Sequence, residues 1–231
     1  MNKSIFLDLL FPKACFSCGK FGRYICISCA MKLRVVEGDV CPYCEKGSLY
    51  GLTHPKCKRT YRLDGLRSVY YYDTILHKII KEIKYRCVRG GIKEIMSLFP
   101  QEKMSTLRFY YQNMIETNML PVPLHRNKLK LRGFNQSLEI ANFFSNTMHI
   151  PMDTKLIYRK KDTFPQAQLK NRRERFQNVR GAFKINIQNK TIPRKIIIID
   201  DVWTSGSTTK EIGRVLKRSG VEKVFVLTIA R

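Results

Sequence analysis

The feature that most constrains this chain lies near its carboxyl end, where four β-branched residues, Ile196-Ile197-Ile198-Ile199, run uninterrupted into Asp200-Asp201. Such a run reads as a strand buried on both faces, the situation of parallel sheets covered by helices. Carboxylates at the carboxyl end of that strand stand where open α/β sheets bind ligands. Two residues on, Thr204-Ser205-Gly206-Ser207-Thr208 leads into an amphipathic helical pattern through Ile212, Val215 and Leu216. Backbone N–H groups at a helix start, the positive end of its dipole and four hydroxyls can enclose a phosphate monoester, and the glycine lets the backbone come close. Ser and Thr also favour helix N-caps, so either half alone would be weak. Together they make a phosphate site the expectation.

The amino-terminal quarter follows different rules. Cys15-x2-Cys18 is followed by Cys26-x2-Cys29, and Cys41-x2-Cys44 by His54-x2-Cys57. Paired spacings of this kind turn soft ligands toward a shared tetrahedral ion. Four cysteines, or three cysteines with one histidine, are ordinary structural zinc sets. Two structural zinc ions are expected, with no open position for zinc chemistry. Spacing alone leaves the pairing of the four knuckles open; sequential pairing is the expectation. Cys87 is left over and reads as a packed thiol in a helix over 74–86. The stretch Ile5-Phe6-Leu7-Asp8-Leu9-Leu10-Phe11 is too short and interrupted for a signal peptide or a spanning helix. The expected compartment is therefore the reducing cytoplasm, with the inner face of the membrane reached only through partners.

A length of 231 residues suits one ordinary α/β domain and a small accessory module, and the division expected is 1–62 and 63–231. With 44% apolar residues the chain is outside the range of disorder. Lys and Arg number 43 against 18 Asp and Glu, a formal charge of +25 spread along the chain. A field of that sign attracts polyanions, nucleic acid foremost, because neutralising phosphates releases condensed counterions. Strands are expected near 66–72, 119–122, 195–199 and 224–228, with amphipathic helices between them, which makes a parallel sheet with helices on both faces.

The segment from Ile196 to Thr208 resembles the phosphoribosyl pyrophosphate motif of type I phosphoribosyltransferases, with Ser205 in place of the usual second threonine. That resemblance implies that Asp200 and Asp201 hold the ribose hydroxyls, that residues 204–208 wrap the 5′-phosphate, and that magnesium accompanies the ligand. The loop after the first core strand, Val122-Pro123-Leu124 with Arg132 beyond it, would bind pyrophosphate. A wider set of motifs resembles the ComF family of DNA-transformation proteins: Pro-Val-Pro-Leu from Pro121, Arg132-Gly133-Phe134-Asn135-Gln136, Gln166-x2-Leu169, Arg175-x2-Asn178-Val179, Ala182-Phe183, and the cysteine module. Residues 159–175, with Arg159, Lys160, Lys161 and Arg175, would form the flexible arm that covers pyrophosphate. The family implies a role in DNA internalisation, with single-stranded DNA and other uptake proteins as partners. Two alternatives stand beside it: a phosphoribosyltransferase of nucleotide salvage or modification, and a non-catalytic sensor of phosphoribosyl pyrophosphate. Beyond the last strand only Ile229-Ala230-Arg231 remain, too little for the base-recognising segment of purine-specific enzymes.

Overall fold

A computed structural model describes residues 12–112, 116–186 and 192–231. The segment Ile5 to Phe11 lies outside them. Four strands form one parallel sheet in the order β1-β6-β5-β2: β1 (Gly65–Tyr70), β2 (Thr117–Pro121), β5 (Lys195–Val202) and β6 (Lys223–Ala230). A separate antiparallel ribbon joins β3 (Ile157–Arg159) to β4 (Phe183–Ile185). The helices are a single turn α1 (Ile27–Ala30), then α2 (Thr74–Tyr85), α3 (Arg89–Ser97), α4 (Gln101–Gln112), α5 (Arg126–Arg132), α6 (Gln136–Met148), α7 (Arg172–Val179) and α8 (Ser207–Arg218).

Alternation along β5 explains the two-layered core. Ile197 and Ile199 join a cluster with Ile79 and Ile80 of α2 and Ile140 and Phe144 of α6, whereas Ile196 and Ile198 join Ile212 and Leu216 of α8. Side chains two apart share a face of a strand, so one isoleucine run fills both layers. All four isoleucines are fully buried. Each contributes roughly 1.5–3 kcal/mol of transfer free energy, so a charge at any of them would break the sheet at its centre. Since α6 covers one face and α8 the other, the chain leaves β2 and β5 toward opposite sides. Their carboxyl ends border a topological switch point, the place where parallel sheets open a crevice.

The helix α2 starts where Asp73 accepts from the N–H groups of Ile75 and Leu76 at 3.1 and 3.0 Å, an N-cap that satisfies two otherwise orphaned donors. It ends at Tyr85, two residues short of Cys87. Cys87 is exposed with a left-handed backbone (φ 56°), which corrects the expectation of a packed thiol inside the helix. The stretch between Ile92 and Thr117 contains the rest of α3 and α4.

The cysteine-rich segment packs onto the sheet domain. Phe16, Ile25 and Leu33 belong to the same apolar cluster as Ile83 and Ile92, and the Val36 N–H donates to the Val69 carbonyl at 2.9 Å. Further along, the Thr53 N–H donates to the Asp64 carbonyl at 2.8 Å.

Candidate metal centres and phosphate cavity

The knuckles pair sequentially. Ligand atoms of Cys15, Cys18, Cys26 and Cys29 lie within 4.8 Å of one another, as do those of Cys41, Cys44, His54 and Cys57. A zinc–thiolate tetrahedron has edges of about 3.8 Å, and the Cys18 and Cys26 sulfurs stand 3.6 Å apart. In the second cluster the His54 Nε2–H donates to the Gly47 carbonyl at 3.0 Å, leaving Nδ1 toward the thiolates, 3.2 Å from the Cys44 sulfur. That outer hydrogen bond fixes ring orientation as it does in zinc sites generally. Burial alone would raise the Cys15 thiol, but N–H donors of Cys26, Cys18 and Ser17 outweigh it and bring it down to about 6. Cys41 falls to about 7 against the same burial, through the backbones of Cys44, His54 and Tyr43. Thiolates are the metal-binding form, so backbone and metal work in one direction. Both sets are closed with four ligands, as structural zinc sites are.

A cavity of about 530 Å³ opens at the carboxyl ends of β2 and β5. Asp200 and Asp201 stand at its floor. Asp200 Oδ1 accepts from the Ser137 hydroxyl and from the Asp201 N–H, both at 3.0 Å. Burial and the adjacent Asp201 push the Asp200 carboxyl up to about 7, against the Lys84 ammonium and those two donors. Lys84, from the last turn of α2, reaches Asp201 Oδ2 at 2.5 Å. Burial works against the Lys84 charge, yet the two carboxylates hold it above the ordinary lysine range.

The loop 204–208 forms the next wall. Gly206 adopts φ +67°, and a Cβ there would come within 2.3 Å of the Trp203 ring, so only glycine fits this turn. Thr204, Gly206, Ser207 and Thr208 line the cavity, but Ser205 is buried behind it and accepts from the Ser207 N–H at 3.3 Å. Ser205 shapes the turn and does not face the cavity. Trp203 is buried in the core beside it. Behind the loop, the Lys210 Nζ donates to the Ser205 carbonyl at 3.0 Å and stands 4.9, 5.1 and 5.6 Å from the ring centroids of Trp203, Tyr43 and Phe176. Burial draws the Lys210 ammonium down to about 8. Tyr43 belongs to the second zinc knuckle, between Cys41 and Cys44, so that knuckle and the phosphate loop share one lysine. An ion pair of 2.6 Å from Arg172 to Glu45 adds a second tie from the same knuckle to α7.

Of the remaining residues singled out from sequence, Val122, Leu124, Arg132, Arg159 and Arg175 line the cavity, whereas Pro123, Lys160 and Lys161 do not. Asn135 Nδ2 donates to the Val122 carbonyl at 3.0 Å, and the Val122 N–H to the Ile199 carbonyl at 3.0 Å. These bonds tie the loop after β2 to the central strand. The arm between β3 and α7 is folded over one side: Arg175 Nη1 donates to Thr204 Oγ1 at 3.2 Å, and Arg159 donates to Thr163 Oγ1. Sequence reasoning missed Lys84, Ser137 and the cavity-lining role of the buried Gln136, whose Nε2 has no hydrogen-bond partner among the described residues.

The fold and these centres define an α/β protein with a parallel four-stranded sheet and an amino-terminal double zinc ribbon. Residues 6–59 match the double zinc ribbon domain family. Over most of its length the chain is similar to competence and DNA utilization proteins. It is 26% identical to competence protein F of Haemophilus influenzae over 91% of this chain and 98% of that protein. Identity to competence protein ComFC of Bacillus subtilis is 26%, over 85% of this chain and 79% of that one. DNA utilization protein YhgH of Escherichia coli strain K12 is 28% identical, over 96% and 99%. Among the described residues no helix is long and apolar enough to cross a membrane.

Proposed function

We propose that this protein binds phosphoribosyl pyrophosphate in the cavity above Asp200 and Asp201 and acts in the cytoplasm in DNA uptake, where single-stranded DNA is its macromolecular partner. The observation that carries the ligand reading is the convergence of two acceptor groups and a glycine-centred helix start on one cavity that also holds six Lys and Arg side chains. Carboxylates are acceptors only and suit the hydroxyls of a ribose. The helix start and the turn before it suit the 5′-phosphate. Arg132, Arg159 and Arg175 suit a pyrophosphate, whose charge they would neutralise more strongly once water is displaced. The role in DNA uptake rests on the names of the relatives, and the partner on the formal charge of +25.

Titration calorimetry of phosphoribosyl pyrophosphate into the zinc-loaded chain tests the ligand. The Asp200→Asn, Asp201→Asn double variant is expected to weaken binding at least about tenfold, since hydrogen bonds to charged acceptors contribute roughly 1.5–3 kcal/mol each. Unchanged affinity would refute it. For single-stranded DNA, log affinity is expected to fall linearly with log salt, and a flat response would rule out phosphate-dominated contacts.

A further inference from the structure

Magnesium is the cation that the resemblance to phosphoribosyltransferases implies, and the residues around Asp200 and Asp201 fit it poorly. A magnesium ion takes oxygen ligands at about 2.0–2.1 Å in an octahedron and keeps several waters. One carboxylate oxygen of Asp201, Oδ2, is already paired with the Lys84 ammonium at 2.5 Å. Asp200 spends Oδ1 on Ser137 and on the Asp201 N–H. Lys84 is no stray surface lysine: the helix that carries it is fixed on the core by Leu76, Ile79, Ile80 and Ile83. The cavity also does not need a metal to balance a polyanion, because six Lys and Arg side chains line it against two carboxylates. A site that relied on a divalent cation would leave more of that charge to the ion.

We propose that Lys84 is the resident counter-ion of the Asp200–Asp201 pair and that the cavity binds a phosphorylated sugar bearing a diphosphate without a divalent cation. This rests on the ligand reading above and deepens it. The ammonium does the cation's work from a fixed position: it neutralises Asp201 while the cavity is open and presents its remaining N–H donors to ligand oxygens when the cavity fills. A lysine has three such donors, so the ion pair and a ligand contact are compatible. Removing the ammonium vacates the carboxylate face and leaves two acids side by side, the arrangement a hard cation prefers. The Lys84→Met variant should therefore convert a magnesium-indifferent site into a magnesium-requiring one.

The experiment is calorimetry with phosphoribosyl pyrophosphate on the zinc-loaded full chain. The buffers are freed of divalent metal by resin and not by a soluble chelator, which would strip the zinc, and are then used with and without added magnesium. Wild type is expected to bind with affinities equal within about threefold in the two buffers, while Lys84→Met loses at least about tenfold without magnesium and recovers when it is added. Wild-type binding that appears only with magnesium overturns the proposal whatever the variant does, so the result stands even if the variant fails to fold. A folded Lys84→Met that binds equally in both buffers overturns it as well. Absence of wild-type binding in both buffers overturns the ligand reading itself, and this inference with it.

Discussion

The two zinc clusters use the same chemistry and the same knuckle spacing, yet they touch different parts of the molecule. The first, at Cys15, Cys18, Cys26 and Cys29, faces the helical layer: Phe16 stacks on Tyr24 at 5.1 Å, and both Phe16 and Ile25 pack with residues of α2 and α3. The second, at Cys41, Cys44, His54 and Cys57, stands behind the phosphate loop, where Tyr43 shares Lys210 with Trp203 and the Ser205 carbonyl. Four cysteines and three cysteines with a histidine are both closed structural sets, so neither set tells a centre that only staples a chain from one that also buttresses a binding loop. They differ in what lies one side chain further out.

The largest effects that would break this comparison come from the metals. Cys15→Ser and Cys41→Ser should both lower thermal stability by several degrees, since structural zinc binding supplies folding free energy directly. Only Cys41→Ser should also weaken phosphoribosyl pyrophosphate binding, by at least about tenfold, while Cys15→Ser stays within about threefold of wild type at a temperature where both are folded. Equal losses of affinity in the two variants would erase the distinction. Calorimetry beside a melting curve reads both quantities.

A smaller effect is expected inside the loop itself. Gly206→Ala places a methyl on the Trp203 ring and forces alanine to φ +67°, so a loss of roughly 1–3 kcal/mol in unfolding free energy is expected, together with loss of ligand binding. Chemical denaturation measures the first. Next comes Lys210→Met, which keeps the chain's bulk but removes the charge shared by Tyr43 and the loop. Its expected cost in affinity is roughly 1–2 kcal/mol, from one charged hydrogen bond and its aromatic contacts. In the Cys41→Ser background the same change should cost less, because the pathway is already broken, and a double-mutant cycle measures that difference.

The smallest effect is the pH dependence between about pH 6 and about pH 8. Burial and Asp201 raise the folded-state pKa of Asp200 to about 7 from its ordinary 3.8. The protonated carboxyl therefore contributes stability that is full below the unfolded value and is lost as pH rises from there through about 7. Asp200→Asn keeps the neutral form at every pH, so its unfolding free energy relative to wild type should climb across that window and level off above it. On the order of 1 kcal/mol of the climb should fall between about pH 6 and about pH 8. The same variant weakens ligand binding, a stability gained at the expense of a binding group. Melting curves at the two pH values check the sign.

The parts of this site legible in sequence are those whose chemistry is local. Ile196 to Thr208 contains its strand, its acids and its anion turn within one stretch, and the knuckles declare themselves by spacing. Lys84 was not singled out as a site residue, because a lysine in the last turn of an amphipathic helix equally suits solvent and the helix dipole. Nothing in its own neighbourhood announces a partner on another element. Ser137 was hidden in the same way, as an ordinary residue in a first helical turn. Tyr43 looked like a spacer between two cysteines, and its contact with Lys210 exists only because the ribbon folds back onto the sheet. Ser205 was assigned to the phosphate by its place in the motif, but the Gly206 turn carries it behind the loop, where it accepts from Ser207. Cys87 was misjudged because the left-handed backbone that ends its helix early leaves no periodic mark.

A crystal structure of the zinc-loaded chain with phosphoribosyl pyrophosphate tests the central claim most directly. The account predicts the 5′-phosphate against the loop 204–208 at the start of α8, the ribose hydroxyls on Asp200 and Asp201, and the diphosphate toward Arg132 and Lys84. Density for the ligand elsewhere, or a ribose turned away from both carboxylates, would contradict it.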